Sequence, residues 1–509
     1  MRRGMENALR EPRTESRTAP GLPTVSLELP ASAAAPAGTN PSVDMNLRSS
    51  ASRFRHRHVH FIGIGGCGMS GLARMLIDCG AVVTGSEPTP NEQTVELSRM
   101  GARISRDQRG ELLSGDIDLV VRTAAVPDSN PEYQKAREMG LRQVKYSELL
   151  GQVMQERFGV AVAGTHGKST TTAMIAYALI RCGADPSFVV GGTVPQLGGG
   201  SHSGAGNVFV AEACEFDHSF HNLRPRVAVI TNIEEDHLDC YGGIDEIVAA
   251  FRTFCRLIPQ HGGLIVANAQ DARVGQAVGG LSTPIDWVAL DREATWSTRI
   301  AGIAPNGCYR GHVLHNGKSM GELALSVAGE HNLFNATAAV AACAACGVDP
   351  AQAATALKTF TGVDRRMTEM GSFNGGALVV DDYGHHPTEI RATLKALRER
   401  YRPGRLFCVF QPHQHSRTRF LLNDFATSFS AADETIVPDI YFVRDSEAER
   451  GRVSSADLVE RVNHNGQRAR HLPRFDAIVD YLRAAAREGD LVVTMGAGNV
   501  WEIGKELVG

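Results

Sequence analysis

The sequence predicts an α/β protein of three consecutive domains, each organised on an open sheet flanked by helices. Three observations predict it. Apolar runs of strand length lead into a glycine-rich turn and then a helical pattern twice, over 57–87 and over 158–183. From about Gly362 onward, strand, polar loop and helix recur in a third region. The 509 residues are also too many for one ordinary core. Boundaries between these units give a tail at 1–54 and domains at 55–153, 154–361 and 362–509.

Residues 1–54 are rich in Ala, Pro, Ser, Thr and Arg and carry no sustained periodicity, which predicts a disordered tail. Glu6, Glu11, Glu15 and Glu28 fit poorly with an acid-poor transit peptide, and a start assigned too far upstream accounts for the segment equally well. Order is expected from Arg57. HVHFIGIGGCGMSGLARMLIDCGAVVTGSE reads as strand, glycine loop, amphipathic helix and second strand. Gly63, Gly65 and Gly68 satisfy G-x-G-x-x-G, and Glu87 lies where a Rossmann dinucleotide site binds a ribose. Alone, this says NAD. The same geometry holds any diphosphate at a helix N-terminus, so the loop predicts a diphosphate without naming it. IDLVVRTAAVPDSN then gives a short strand and polar loop, which makes Thr123 a candidate for the same ligand.

The central domain is organised around AVAGTHGKSTTT. Phe158 to Ala163 reads as a buried parallel strand, and the residues after Ser169 as a helix ending at Gly183. Between them, Gly164 and Gly167 let successive backbone N–H groups face one anion, Lys168 adds a point charge, and Ser169 can ligand Mg²⁺. A full Walker A pattern needs glycine where this chain has Val162, so only G-x-x-G-K-S fits. Two further strands run into polar residues: NVFVAEACEFD into Glu212, and RVAVITNIEEDHLD into Asn232, Asp236 and His237. The strand ends are expected in one crevice, with Glu212 holding Mg²⁺ beside the phosphate loop. GEHNLFNATAA places Asn332 and Asn335 on one face of a helix's first turn, able to read a base edge or simply to cap. Cys343 and Cys346 have CxxC spacing, but an alanine-rich run around them predicts small packed residues.

In the third domain GALVVDDYGHHPTEI, RLFCVFQPHQHSRT and DLVVTMGAGNVWEIGKEL each run from strand into loop. Asp381, Asp382, His385, His386, His413 and Arg417 follow strand ends and form an expected working face toward the central domain. Composition bounds the partners. Hydrophobic residues make up 43% and charged ones 21%, with net charge -4 and no long basic run after residue 58, which speaks against nucleic acid. No stretch reaches the ~18 apolar residues of a membrane span. The ten scattered cysteines, without a secretory apolar segment, predict reduced thiols in the cytoplasm.

Taken together, HFIGIGGCGMSGLA, GTHGKSTTT, AEACEFD, TNIEEDHLD, GEHNLFNATAA, DDYGHHPTE, QPHQHSRT and MGAGN resemble the motifs of the Mur ligases over about residues 57–508. These are the ATP-dependent amide-forming enzymes of bacterial peptidoglycan synthesis, and the short phosphate loop is the form they use. The resemblance implies a Rossmann-like first domain, a P-loop ATPase-type central domain and a mobile Rossmann-like third domain. It implies ATP and Mg²⁺ as cofactors, UDP-N-acetylmuramate and L-alanine as substrates, and a monomer or homodimer. Gly164, Thr165, His166, Gly167, Lys168, Ser169 and Thr170 would bind ATP with Asn332, Asn335, Arg366 and Asp382, the asparagines on the adenine side. Gly65, Gly66, Gly68, Met69 and Ser70 would hold the UDP substrate with Thr123 and His166. Ser169, Glu212 and His237 would hold the metal, and Lys168, Glu212, His237, His386 and Arg417 would be catalytic. Gln414 and His415 stand where relatives often carry an arginine and a tyrosine.

The chemistry fits these residues. A lactyl carboxylic acid ionises with a pKa of about 4, so at neutral pH it needs no base to attack a γ-phosphate, only charge neutralisation. The amine that attacks the acyl phosphate must lose a proton, with His385, His386 and Asp382 as candidate acceptors. Two other readings compete. An NAD-dependent oxidoreductase would use the first glycine loop and leave GTHGKST unexplained. An ATP-dependent switch would hydrolyse ATP indifferently to both other substrates.

Overall fold

The computed structural model describes residues 52–123 and 125–509. Most of the expected tail lies outside these residues, but its last part does not. Phe54 is buried in the first apolar core, and Arg53 pairs with Glu156. Packing therefore starts before Arg57, on a lone aromatic with no periodicity to reveal it.

Three sheets follow one another along the chain. The first has five parallel strands in the order Arg103–Ser105, Val82–Ser86, His58–Ile62, Leu119–Arg122, Gln143–Lys145. The second has ten. Its parallel centre runs Leu264–Asn268, Val227–Ile230, Phe158–Ala163, Val208–Glu212, Ser187–Val194, with antiparallel strands beyond Trp296–Ile303 at one edge and at Gly199–His202 on the other. The third has six strands in the order Thr368–Phe373, Ala377–Asp382, Leu491–Met495, Leu406–Phe410, Glu434–Val437, Ala469–His471, all parallel except the first.

The central strand shows why a continuous apolar run was needed. Val160 and Val162 enter one core, whereas Ala161 and Ala163 enter the other, so the two-residue period serves helices on both faces. The helix Lys168–Arg181 covers one face and packs on Glu330–Ala345, whose alanines permit close approach. Cys343 is buried there.

The domains join differently. Residues of the first and second sheets, including Phe61, Val121, Ala161 and Phe209, share one apolar core. The third sheet has its own two cores and meets the second mainly through polar pairs, such as Arg417 with Asp236, Thr388 with Glu234 and Lys395 with Glu330. A polar interface of this kind is the sort across which domains move. Among the described residues no helix is long and apolar enough to cross a membrane.

Candidate active site

Parallel register brings three strand ends together. Ala163 pairs with Ile230, and Val162 with Glu212, so the phosphate loop, Thr231 and Glu212 leave the sheet side by side. At Gly164 φ is +143°, and a Cβ there would lie 1.9 Å from the Thr231 hydroxyl. Gly167, at φ +81°, abuts the Asn335 side chain. Both conformations and both close approaches require glycine. The neighbouring strand end then clamps the loop: Asn232 Oδ1 accepts the His166 N–H (2.8 Å), and Thr231 Oγ1 donates to the His166 carbonyl (2.6 Å).

Lys168 is held from three sides. Its Nζ donates to the carbonyls of Gly164 (2.6 Å) and Thr165 (3.0 Å) and to Glu215 Oε1 (2.9 Å). Burial works to lower the lysine's pKa, but Glu215 outweighs it and holds the ammonium above its ordinary value. Glu212 lies beside this group, accepting from the Gly191 N–H and the Ser169 hydroxyl, and burial raises its carboxyl above the usual range. His237 has φ +53° and points Nε2 at Glu215 Oε1, 3.8 Å away, with its ring edge-on to Phe216. The second oxygen of Glu215 is buried without a hydrogen-bond partner. Sequence reasoning passed over Glu215, although it lies within AEACEFD, because a loop's side-chain directions follow no period.

Beyond the loop opens a cavity of about 480 Å³ lined by His166, Ser169, Thr170, Asn332, Asn335, Arg366 and Asp382, with Glu389 and Thr388 from the third domain. Asn332 and Asn335 bond to each other (3.1 Å), Asn332 also donates to the Ala328 carbonyl, and Asn335 touches Gly167. Asn335 thus sits against the phosphate loop, and both amides line the cavity. Asp382 accepts N–H bonds from Met367 and Gly384, and burial, only partly offset by Arg366, pushes its carboxyl up to about 6. Arg366 pairs with Glu389 (3.2 Å).

Arg417 forms a second group. Its Nε and one terminal N–H donate to Asp236 Oδ1 (3.0 and 2.7 Å), tying the third domain to the loop that carries His237. Asp236 is held well below the usual carboxylate range: burial would raise it, and Arg417, His237 and His385 outweigh burial. His385 donates Nδ1–H to the Tyr383 carbonyl (3.2 Å), which leaves Nε2 as its lone pair, 3.9 Å from Asp236. His386 instead uses Nε2 on the Glu235 carbonyl (3.1 Å).

The first glycine loop leans against the middle sheet, with Cys67 Sγ 3.8 Å from the Val190 carbonyl. Its Gly65 N–H donates to Glu87 Oε2 (3.1 Å), so Glu87 binds the loop itself. Ser70 lies inside the helix Cys67–Asp78, where its N–H donates to the Gly66 carbonyl and its hydroxyl to the Cys67 carbonyl. Met69 is turned into the core. Gly66 and Gly68 open that helix, and its first amides are the ones free to meet an anion. Thr123 closes a turn, accepting from the Ala125 N–H (2.9 Å).

A lysine-bearing loop at the C-terminal edge of a parallel sheet, facing a polar cavity, marks a nucleotide-using P-loop enzyme of the α/β class. Known proteins narrow the class. Residues 58–158 match the Mur ligase family catalytic domain, 162–343 the Mur ligase middle domain, and 365–498 the Mur ligase glutamate ligase domain. The chain belongs to the Mur ligase family. It is 44% identical over 450 residues to the UDP-N-acetylmuramate–L-alanine ligase of Pelotomaculum thermopropionicum, covering 88% of this chain and 96% of that protein. It is 42% identical over 449 residues to the ligase of the same name from Caldanaerobacter subterraneus, with the same coverage of 88% and 96%. Among solved structures, the UDP-N-acetylmuramate-alanine ligase of Thermotoga maritima superposes with a TM-score of 0.71 at 28% identity, over 89% of this chain and 98% of that one. A murein peptide ligase from Psychrobacter arcticus gives 0.64 at the same 28%, also over 89% and 98%.

Proposed function

We infer that this protein joins L-alanine to the lactyl carboxylate of UDP-N-acetylmuramate at the expense of ATP, in the making of peptidoglycan precursors. The observation that carries the reaction type is Lys168 fixed between the phosphate loop and the buried Glu215, with the half-buried Glu212 beside it, next to a cavity lined by its neighbours Gly167 and Ser169 and by the third domain. The acceptor follows from the curated relatives at 42–44% identity, since the alanine ligase and peptide ligase structures are equally distant in sequence.

The phosphate loop amides and Lys168 bind the triphosphate, and the carboxylate of the sugar attacks the γ-phosphorus in line. Lys168 offsets the repulsion between the two anions; to do so it leaves Glu215 for the phosphate. Ser169 and Glu212 suit Mg²⁺, being oxygen donors already in contact, and the unpartnered Glu215 oxygen adds a third beside His237. When bound there, the ion supplies neutralisation of phosphate charge. Alanine then attacks the acyl phosphate, forming the amide as the C–O bond to phosphate breaks. We assign the amine's proton to His385 Nε2: His386 donates from Nε2 to the Glu235 carbonyl and accepts the Thr388 N–H at Nδ1, and both Asp382 oxygens are engaged, whereas this lone pair faces the Asp236–Arg417 pair. Arg417, with one N–H beside His413, is the cation offered to the substrates from the third domain. The first helix N-terminus takes the UDP diphosphate. We place the reaction in the cytoplasm, where its nucleotide substrates are found.

Phosphate release with ATP, Mg²⁺ and UDP-N-acetylmuramate, compared across L-alanine, glycine, L-serine and no amino acid, tests the reading. Release that requires the UDP-sugar and is highest with L-alanine is expected despite Gln414 and His415. Release indifferent to both would overturn it.

A further inference from the structure

Beside the phosphate loop lies a cluster that the ligase chemistry leaves unexplained. His166 on the loop, Glu234 after the next strand and His386 from the third domain each offer a ligand atom, all within 4.8 Å of one another. His166 Nε2 is buried and without a hydrogen-bond partner, and it lies 3.8 Å from Glu234 Oε2. On the other side His386 Nδ1 is 3.6 Å from the same oxygen. Two imidazoles and a carboxylate thus converge from two domains; an ion would replace the Thr388 N–H that His386 Nδ1 now accepts (3.3 Å) and the proton that Glu389 and Glu234, against burial, favour on His166.

The atoms behind them are arranged as metal ligands need. A ligating histidine usually donates its second ring nitrogen to a carbonyl or carboxylate, which fixes the ring and the tautomer. His386 Nε2 donates to the Glu235 carbonyl (3.1 Å), and His166 Nδ1 faces Glu389 Oε1 (3.5 Å). The Thr388 hydroxyl holds Glu234 Oε2 (2.6 Å). Bond lengths of about 2.0–2.2 Å in a tetrahedron put ligands about 3.4 Å apart, a few tenths of an ångström inside the two separations to Glu234, while the two histidines must close from within 4.8 Å. Two imidazoles and one carboxylate suit a borderline transition ion, whereas Mg²⁺ asks for oxygen in an octahedron.

We propose that His166, Glu234 and His386 bind a divalent transition ion, Zn²⁺ foremost, separately from Mg²⁺ at Ser169 and Glu212, and that the ion fastens the third domain to the phosphate loop and stops turnover. The site is inhibitory because two of its ligands flank the nucleotide cavity and the third belongs to a domain that must move. This goes beyond the ligase reading and depends on its chemistry only for the inhibition.

Co²⁺ titration of the full chain tests the site without any turnover. The intense visible bands of four- or five-coordinate Co²⁺ are expected, bleached by one equivalent of Zn²⁺ and unmoved by excess Mg²⁺. Co²⁺ affinity should fall by at least about tenfold in His386→Ala and in Glu234→Gln. The second variant keeps the side chain's shape and carries the test if the first does not fold. Only a weak six-coordinate spectrum, bands unchanged in both variants, or the near-ultraviolet bands of a cysteine ligand would overturn the proposal. So would Zn²⁺ inhibition of phosphate release that disappears as Mg²⁺ is raised, since that would put both ions in one site.

Discussion

The protein contains two loops built on one plan, strand, glycine turn and helix, and they have diverged in what they do with an acid. At the first loop Glu87 accepts the Gly65 N–H directly, so a carboxylate sits against the backbone itself. At the second, Glu215 meets Lys168, and the amides of Thr165 and His166 are tied to Asn232, so those from Gly167 to Thr170 are left to the ligand. One loop therefore holds its anion by amides alone, and the other by amides plus a mobile cation. The fold supplies the anion site in both cases; the lysine is what suits one of them to phosphoryl transfer.

Removing that cation should have the largest effect. Lys168→Ala is expected to lower phosphate release about 10³-fold, the scale of losing one preorganised group at a developing charge. Its circular dichroism should be unchanged. Activity within tenfold of the parent would dissolve the distinction between the two loops.

The next effect concerns how the second loop is closed. Arg417→Ala leaves Asp236 buried without its partner, a loss of about 3–5 kcal/mol for a pair of this burial. Because the pair joins two domains, the unfolding of the third domain should separate from the rest in calorimetry, and KM for alanine should rise. A single undisturbed transition would show that the polar interface does not depend on this pair.

A smaller effect is set by pH. Burial lifts the Asp382 carboxyl from its ordinary 3.8 to about 6, in the face of Arg366 and two amide donors and with Glu389 adding to the rise. Between those values the native protein holds a proton that the unfolded chain has lost, so this residue makes stability fall as pH rises from about 4 to 6. Two units correspond to roughly 3 kcal/mol. Asp382→Asn should flatten that part of the curve of Tm against pH; an unchanged slope would mean the carboxyl is already ionised there.

Much of this was legible in the sequence. The strand Phe158–Ala163 and the helix after it follow from an uninterrupted apolar run and the glycines between, since both depend on local periodicity. Lys168, Ser169 and Glu212 were legible because a parallel sheet sends its strand ends to one edge. Glu215, Glu234 and Glu389 were not singled out, although each lies inside a motif, because their directions depend on loop torsions and on a domain contact distant in sequence. Nor were the partners of Ser70 legible: they follow from its place in the first turn of the helix Cys67–Asp78, which engages its N–H and hydroxyl. Phe54 lay outside any pattern.

The least effect, and the one that sharpens the comparison most, concerns Glu87. If its carboxylate only caps the Gly65 amide, it competes with the incoming diphosphate, and Glu87→Ala should tighten binding of UDP-N-acetylmuramate. Charge at a helix N-terminus contributes about 0.3–1 kcal/mol, so affinity should rise by about two- to fivefold, measured by calorimetry at low salt. Weaker binding would mean that the carboxylate turns to grip the ligand, as the acid of a dinucleotide site grips a ribose. In that event the first loop would recruit its acid on binding, whereas the second releases Glu215 from Lys168, and the two loops would differ in the direction of their switch as well as in their charge.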